Sequence, residues 1–217
     1  MKPIASILFL FIVSFACKQD KKYHDTKQKS SKVIADNGVL QILEFQNNLN
    51  EEFKNPEISP LPDRYRKDFE ALEFFEPDTT YIVKADFVLT PDALPFLMPT
   101  TTERTSEEVV YGIAHFMLNG VKHQLEIYQS KELMQKEGFE EYLFLPFTDE
   151  TNGVETYAGG RYIDLSIPTG NTIVIDFNRA YNPYCVYNKK YSCALVPSVN
   201  TLKTRVLAGV MDFKKGK

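Results

Sequence analysis

The sequence predicts a mainly β fold: an antiparallel β-sandwich or barrel-like domain preceded by two short N-terminal helices. Three observations carry this. From Tyr81 onward, β-branched and aromatic residues dominate, the residue types that suit a pleated, half-buried surface. Turn signals recur between them at strand-length intervals, as in a sheet of successive antiparallel strands. Ahead of Tyr81 the apolar residues recur at helical spacing instead.

The chain begins with a different kind of segment. Met1-Lys2 is a positive start, Ile4 to Val13 is almost wholly apolar, and Ser14-Phe15-Ala16 leads into Cys17. Residues 1–16 therefore read as a secretory signal, well short of the ~20 residues that span a bilayer. A cysteine directly after a small residue at this place resembles the bacterial lipobox. That resemblance implies cleavage before Cys17 and its lipidation, a membrane anchor of several acyl chains. An ordinary cleaved signal containing a cysteine is the alternative. Residues 17–36, rich in Lys, Gln, Ser and Asp, have too little apolar surface to order themselves and read as a flexible tether. Residue 18 is Lys, not the Asp that resembles an inner-membrane retention signal. The expected location is the cell envelope, on the outer membrane.

Residues 37–217 make one domain of about 180 residues. A chain of that size buries about 70% of its unfolded surface and needs no staple to hold a core. The formal net charge is -4, which excludes the basic footprint of a general nucleic-acid binder. The chain has no phosphate-binding Gly-rich loop and no Gly-x-Ser-x-Gly nucleophile motif. No cofactor is expected.

Asn37 can cap the first helix, along which Val39, Leu40, Ile42, Leu43, Leu49 and Phe53 form the apolar stripe. Pro56 ends it. Asp63 can cap a second short helix that runs through Phe69 and Leu72. Residues 81–89 are the first strand, and residues 91–105, with three prolines, an irregular loop. Residues 111–118 and 121–129 flank Asn119-Gly120, the strongest short hairpin signal. A two-residue turn sets Leu118 opposite Val121, Phe116 opposite His123 and Ala114 opposite Leu125. The apolar face is then Ala114, Phe116, Leu118, Val121, Leu125 and Ile127. His115 and His123 fall on opposite faces and cannot share a metal, and His24 lies in the tether, so no metal site is expected.

Residues 143–147 read as a hydrophobic strand that runs into a turn rich in Asp149, Thr151, Asn152 and Gly153. Asp149, Asn152 and Glu155 could offer oxygens to calcium, but the spacing lacks the alternating carboxylates of a calcium loop. Side chains bonding nearby backbone are the favoured reading. Gly159-Gly160 precedes the next strand and suggests a bulge or close backbone approach. A turn at Pro168-Thr169-Gly170-Asn171 would pair that strand with residues 172–177, placing Arg161 diagonal to Asp176 with Asn178 beside it. This pair is either a ligand pocket or a structural ion pair.

Residues 143–156, Gly160-Arg161-Tyr162 and the run Asp176-Phe177-Asn178-Arg179-Ala180-Tyr181-Asn182-Pro183-Tyr184-Cys185 resemble the bacterial domain-of-unknown-function family 1684, and Ala208-Gly209-Val210 fits as well. The resemblance spans about residues 80–213. It implies no activity. The family pattern after the second cysteine resembles Cys-Pro-Leu-Pro-Pro followed by Glu-Asn, whereas this chain has Cys193-Ala194-Leu195-Val196-Pro197-Ser198-Val199-Asn200. No catalytic residue carries over.

Cys185 and Cys193 are symmetric about Lys189. A hairpin turning at Asn188-Lys189-Lys190 would pair Tyr187 with Tyr191 and set the cysteines opposite one another as a disulfide, as an oxidising compartment favours. A free or metal-bound thiol pair is the alternative. Two functions remain. One is a non-catalytic binding or interaction module for a small molecule, a glycan or an envelope protein, with Arg161, Asp164, Asp176, Asn178, Asn182 and Tyr184 as ligand-binding candidates. The alternative is a hydrolase built around Arg161, Asp164 and Asp176. An enzyme requires these charged groups to converge in one concavity; a binding or structural module leaves them dispersed or mutually neutralised.

Overall fold

The computed structural model describes residues 38–214. The stretch expected to be a signal, Cys17, the stretch expected to be a tether with His24, and the expected cap Asn37 lie outside the described residues. Helix α1 spans Gly38–Lys54 and buries Ile42, Phe45, Gln46, Leu49 and Phe53. Its stripe is rotated from the expected one: Val39, Leu40 and Leu43 are exposed, and Phe45 lies inside. The helix stops two residues before Pro56, where the Ser59 hydroxyl donates to the Phe53 carbonyl at 2.6 Å. Helix α2 is a single turn, Asp63–Arg66. Asp63 is its first residue rather than its cap, and pairs with Arg66 at 2.9 Å. The helix ends before Phe69 and Leu72 because those side chains pack with Phe53 in the layer under α1.

The rest is one antiparallel sheet of seven strands, curled into a half-barrel rather than folded into two layers. Its strands are β1 (Ile82–Leu89), β2 (Phe96–Pro99), β3 (Thr105–Leu118), β4 (Val121–Ser130), β5 (Tyr142–Phe147), β6 (Arg161–Ser166) and β7 (Thr172–Asp176). The order is β6-β5-β4-β3-β1-β7, with β2 pairing β3. Strand β2 lies inside the stretch expected to be irregular. The β3–β4 hairpin has the expected register: Leu118 faces Val121, Phe116 faces His123 and Ala114 faces Leu125. Asn119 and Gly120 both take positive φ, 51° and 76°, as a type I′ turn requires.

The expected β6–β7 hairpin does not form. Strand β6 pairs β5, with Arg161 opposite Phe147, and β7 pairs β1, with Asp176 opposite Ile82. The two strands are opposite edges of the curl. Backbone groups flanking the turn are already taken: Ile167 N–H donates to the Glu141 carbonyl, and the Asn171 carbonyl accepts from Phe87 N–H. The loop therefore crosses the mouth of the half-barrel instead of closing a ladder.

The concave face holds the main core, with Phe87, Phe116, Ile127, Leu145, Ile163 and Ile175 among its members, and Leu202, Val206 and Ala208 close it from the C-terminal segment. Two irregularities shape the sheet. At β5, Pro146 has no N–H to give, and the β4–β5 ladder is limited to Tyr128 opposite Phe144. The Asn200 carboxamide fills the gap. It donates to the Glu126 and Pro146 carbonyls, each at 2.8 Å, and accepts from Glu126 N–H at 2.8 Å. In β3, Gly112 faces Ile127 but Val110 faces Tyr128, so Tyr111 is an extra residue, a β-bulge. Because side chains alternate, this insertion changes which face β3 presents. Ala114, Phe116 and Leu118 point to the core; Val110 and Glu108 share the outer face with Tyr128 and Ser130.

Candidate functional site

The outer face of β3, β4, β5 and β6 is not flat. Within β5 and β6, Leu143, Leu145, Ile163 and Leu165 go to the core, so Tyr142, Phe144, Tyr162 and Asp164 stand on the other side. The segment from Tyr181 to Ala194 roofs them. It is stitched down by the Tyr162–Tyr181 and Thr100–Ala194 bridges and by Thr101 N–H donating to the Cys193 carbonyl at 2.8 Å. Between sheet and roof is a cavity of ≈ 140 Å³.

Its walls are aromatic. Phe144 meets Tyr162 edge-on at 4.7 Å, Tyr162 meets Tyr181 at 5.9 Å, and Tyr184 meets Tyr191 at 5.3 Å. Polar tips are anchored behind these rings. Tyr142 and Tyr181 hydroxyls donate to Asp164 Oδ1 at 2.8 and 2.6 Å, and the Tyr162 hydroxyl donates to the Ala194 carbonyl. Burial, followed by the neighbouring Asp164 charge, pushes the Tyr181 hydroxyl well above its ordinary pKa. Tyr181 therefore stays a neutral hydrogen-bonding group.

One acid lies in the wall itself. Glu108 is 5% exposed. Its Oε1 accepts from the Ser106 hydroxyl at 2.6 Å. The Ser130 hydroxyl lies alongside and steadies its charge, yet Oε2 is buried with no partner of hydrogen-bond geometry. Burial pushes the Glu108 pKa up, opposed by the Ser106 hydrogen bond and the charge of Arg104. Arg104, and Lys136 paired with Glu132 at 3.3 Å, form the exposed rim.

The residues singled out from sequence are scattered. Arg161 is fully buried on the core side. Its partner is Asp149, at 2.9 Å, not Asp176. It also donates to the carbonyls of Val206, Ala208 and Val210, tying the C-terminal segment to the sheet. The Gly159-Gly160 signal was sound: a Cβ on Gly160 would fall 2.6 Å from the Phe147 carbonyl. Asp149 Oδ1 accepts from Thr151 and Val206 N–H, which uses it as a turn and docking group rather than a calcium ligand. Asp176 accepts from Asn178 N–H and Nδ2 at 3.0 and 2.8 Å. Asn178 in turn bridges to Asp78 in both directions, fastening the end of β7 to the start of β1. Asn182 donates to the Met211 carbonyl. Of the six candidates, Tyr184 lines the cavity and Asp164 stands directly behind its tyrosines. Sequence reasoning missed Glu108, Tyr142 and Phe144. The last two alternate with Leu143 and Leu145, a period-two signal hidden by treating the run as uniformly hydrophobic.

The cysteine hairpin is also absent. Residues Tyr184–Val186 form a 3-10 turn, and Tyr191 N–H donates to the Asn188 carbonyl. Tyr187 turns inward instead of facing Tyr191, packing on Phe53 at 4.7 Å and Phe213 at 4.8 Å. Cys185 and Cys193 are free thiols, still adjacent, with Cys185 N–H donating to Cys193 Sγ at 3.1 Å. Their side chains also hydrogen-bond one another. The Cys193 hydrogen bond pulls the Cys185 pKa down to about 7 against burial, and the same bond plus burial pushes Cys193 up. His115 and His123 fall on opposite faces of the hairpin, as expected. Among the described residues, no group of three or more His, Cys, Asp or Glu could hold a metal ion. Also among the described residues, no helix is long and apolar enough to cross a membrane.

A solution NMR structure of an uncharacterised protein from Haloarcula marismortui is similar to this chain. The identity is 32% and the TM-score 0.62, covering 79% of this chain and 92% of that one. No curated protein matches the chain. The sequence model described as Protein of unknown function (DUF1684) matches residues 67–211, which include β1 to β7 and the cavity roof, and the chain belongs to that family.

Proposed function

We propose that this protein is a non-catalytic binding module that takes a small organic molecule in the outer-face cavity and is held at the cell envelope by a lipid on Cys17. The observation that carries the reading is the cavity itself: ≈ 140 Å³, walled by aromatic rings, with the hydroxyls of Tyr142, Tyr162 and Tyr181 already anchored. A cavity of about 150 Å³ accommodates benzene, so this volume suits a small molecule better than a glycan chain or a protein surface. The hydrolase alternative lacks support from geometry, because Arg161, Asp164 and Asp176 serve three separate places. A thermal-shift screen of the full chain against amines, sugars and nucleosides tests the reading. A ligand is expected to raise the melting temperature, and Tyr184→Ala to weaken its binding at least tenfold. Silence across the screen, or a ligand indifferent to Tyr184→Ala, would overturn it.

Two covalent features belong to the same reading, an acylated Cys17 and, outside the cytoplasm, an oxidised Cys185–Cys193 pair. The closeness of the thiols and the lowered Cys185 pKa favour oxidation, since the thiolate is the reactive form. Intact-mass analysis of protein extracted from membranes reads both. The expected mass begins at an acylated Cys17 and lies two hydrogens below the reduced value. An unmodified N-terminus or two alkylatable thiols would each remove its feature.

A further inference from the structure

We infer that the cavity is built for a small ammonium group, held by the faces of its aromatic rings and by the Glu108 carboxylate. This deepens the binding reading above and rests on it. The first observation is the unfinished hydrogen bonding of Glu108. The side chain is 5% exposed, Oε1 has Ser106, and Oε2 has no partner of hydrogen-bond geometry among the described residues, with only the Ser130 hydroxyl alongside. A buried carboxylate without a cation is unfavourable, and among the described residues no cationic side chain forms an ion pair with it. Arg104 is exposed at the rim, and Lys136 there is paired with Glu132.

The second observation is the wall. Phe144, Tyr162, Tyr181, Tyr184 and Tyr191 surround the space, and aromatic faces carry negative potential that attracts cations, most strongly where water is excluded. Asp164 sharpens this from behind. Accepting hydrogen bonds from the hydroxyls of Tyr142 and Tyr181, it makes those rings more electron-rich and adds a second negative charge beyond them. The third is charge placement. Negative groups lie inside and behind the wall, whereas the cations are confined to the solvent-screened rim. A ligand leading with an ammonium and trailing a neutral or acidic tail past Arg104 matches that order. A ligand leading with a carboxylate or phosphate would have to bury its charge against Glu108.

Isothermal titration of the full chain with choline and with its neutral carbon analogue, in which a tert-butyl group replaces the trimethylammonium, isolates the charge at constant shape. Choline is expected to bind at least tenfold tighter than the analogue. Glu108→Gln should cut that preference severalfold while leaving the analogue unchanged, the remainder being the share of the aromatic faces. The variant should melt no lower than the parent, because it removes a buried charge, so lost binding would not reflect unfolding. Equal affinity for the two probes would overturn the ammonium inference and leave the binding reading standing, as would binding of a neutral or anionic molecule from the screen with no response to choline. Silence from both probes and from the screen would remove both.

Discussion

Arg161→Ala is expected to destabilise the fold by about 3–5 kcal/mol, the usual cost of removing one member of a buried ion pair. That is a large part of the roughly 5–15 kcal/mol by which domains are stable, and corresponds to a fall of roughly 10 °C in melting temperature. The reason lies in what the guanidinium holds. Asp149 would be left charged and fully buried, and the carbonyls of Val206, Ala208 and Val210 would lose their donor together. Lysine should not rescue it, since one ammonium cannot span donors aimed at both Asp149 and three carbonyls. A second variant separates charge from packing. Arg161→Met combined with Asp149→Asn removes both charges, keeps the acceptor for Thr151 and Val206 N–H, and should regain part of the loss. Urea denaturation measures all three. A cost for Arg161→Ala below about 1 kcal/mol, the scale of an exposed pair, would refute the anchoring role.

Asn200→Ala is expected to cost about 3–4 kcal/mol, more than a single hydrogen bond is worth. The carboxamide serves three backbone groups at once: Glu126 N–H, the Glu126 carbonyl and the Pro146 carbonyl. Removing it strands all three in a site that is 0% exposed, and each stranded group carries about 1–3 kcal/mol of desolvation cost. Asn200→Asp should fail similarly, since a carboxylate turns an acceptor toward two carbonyls. Hydrogen exchange gives the specific readout. The Glu126 amide should lose protection in Asn200→Ala before the β3–β4 hairpin does. An unchanged Glu126 amide would sink the bridging role even if the protein were destabilised.

Much of the sheet was legible where its causes are local. Asn119-Gly120 dictates a turn, the turn dictates register, and that register is observed residue for residue. The failures have a common cause in contacts distant along the chain. Nothing near Pro168 reveals that the groups flanking that turn are claimed by Glu141 and Phe87. As a result Arg161 and Asp176 were matched across a ladder that does not exist. Asp149 looked like a turn residue and is one, but its second oxygen serves Arg161. Tyr187 was set opposite Tyr191, yet Phe53, from a helix far upstream, draws it inward. Glu108 was invisible because its face depends on a single inserted residue, and simple alternation counted back from Ala114 assigns it to the core. Asn200 stood in the family pattern without an evident task. Its task is set by Pro146, and only the missing rung between two strands reveals it.

That inserted residue, Tyr111, has a consequence for how the protein can diverge. In an unbroken strand both surfaces answer to one register, so a shift that suits one spoils the other. Here β3 is divided. Its later half answers to the hydrophobic interior, and its earlier half to the cavity. Substitutions at Ser106 and Glu108 can therefore reshape the cavity lining without moving a side chain packed under the half-barrel. Relatives that share this architecture can differ in the cavity lining while remaining the same fold.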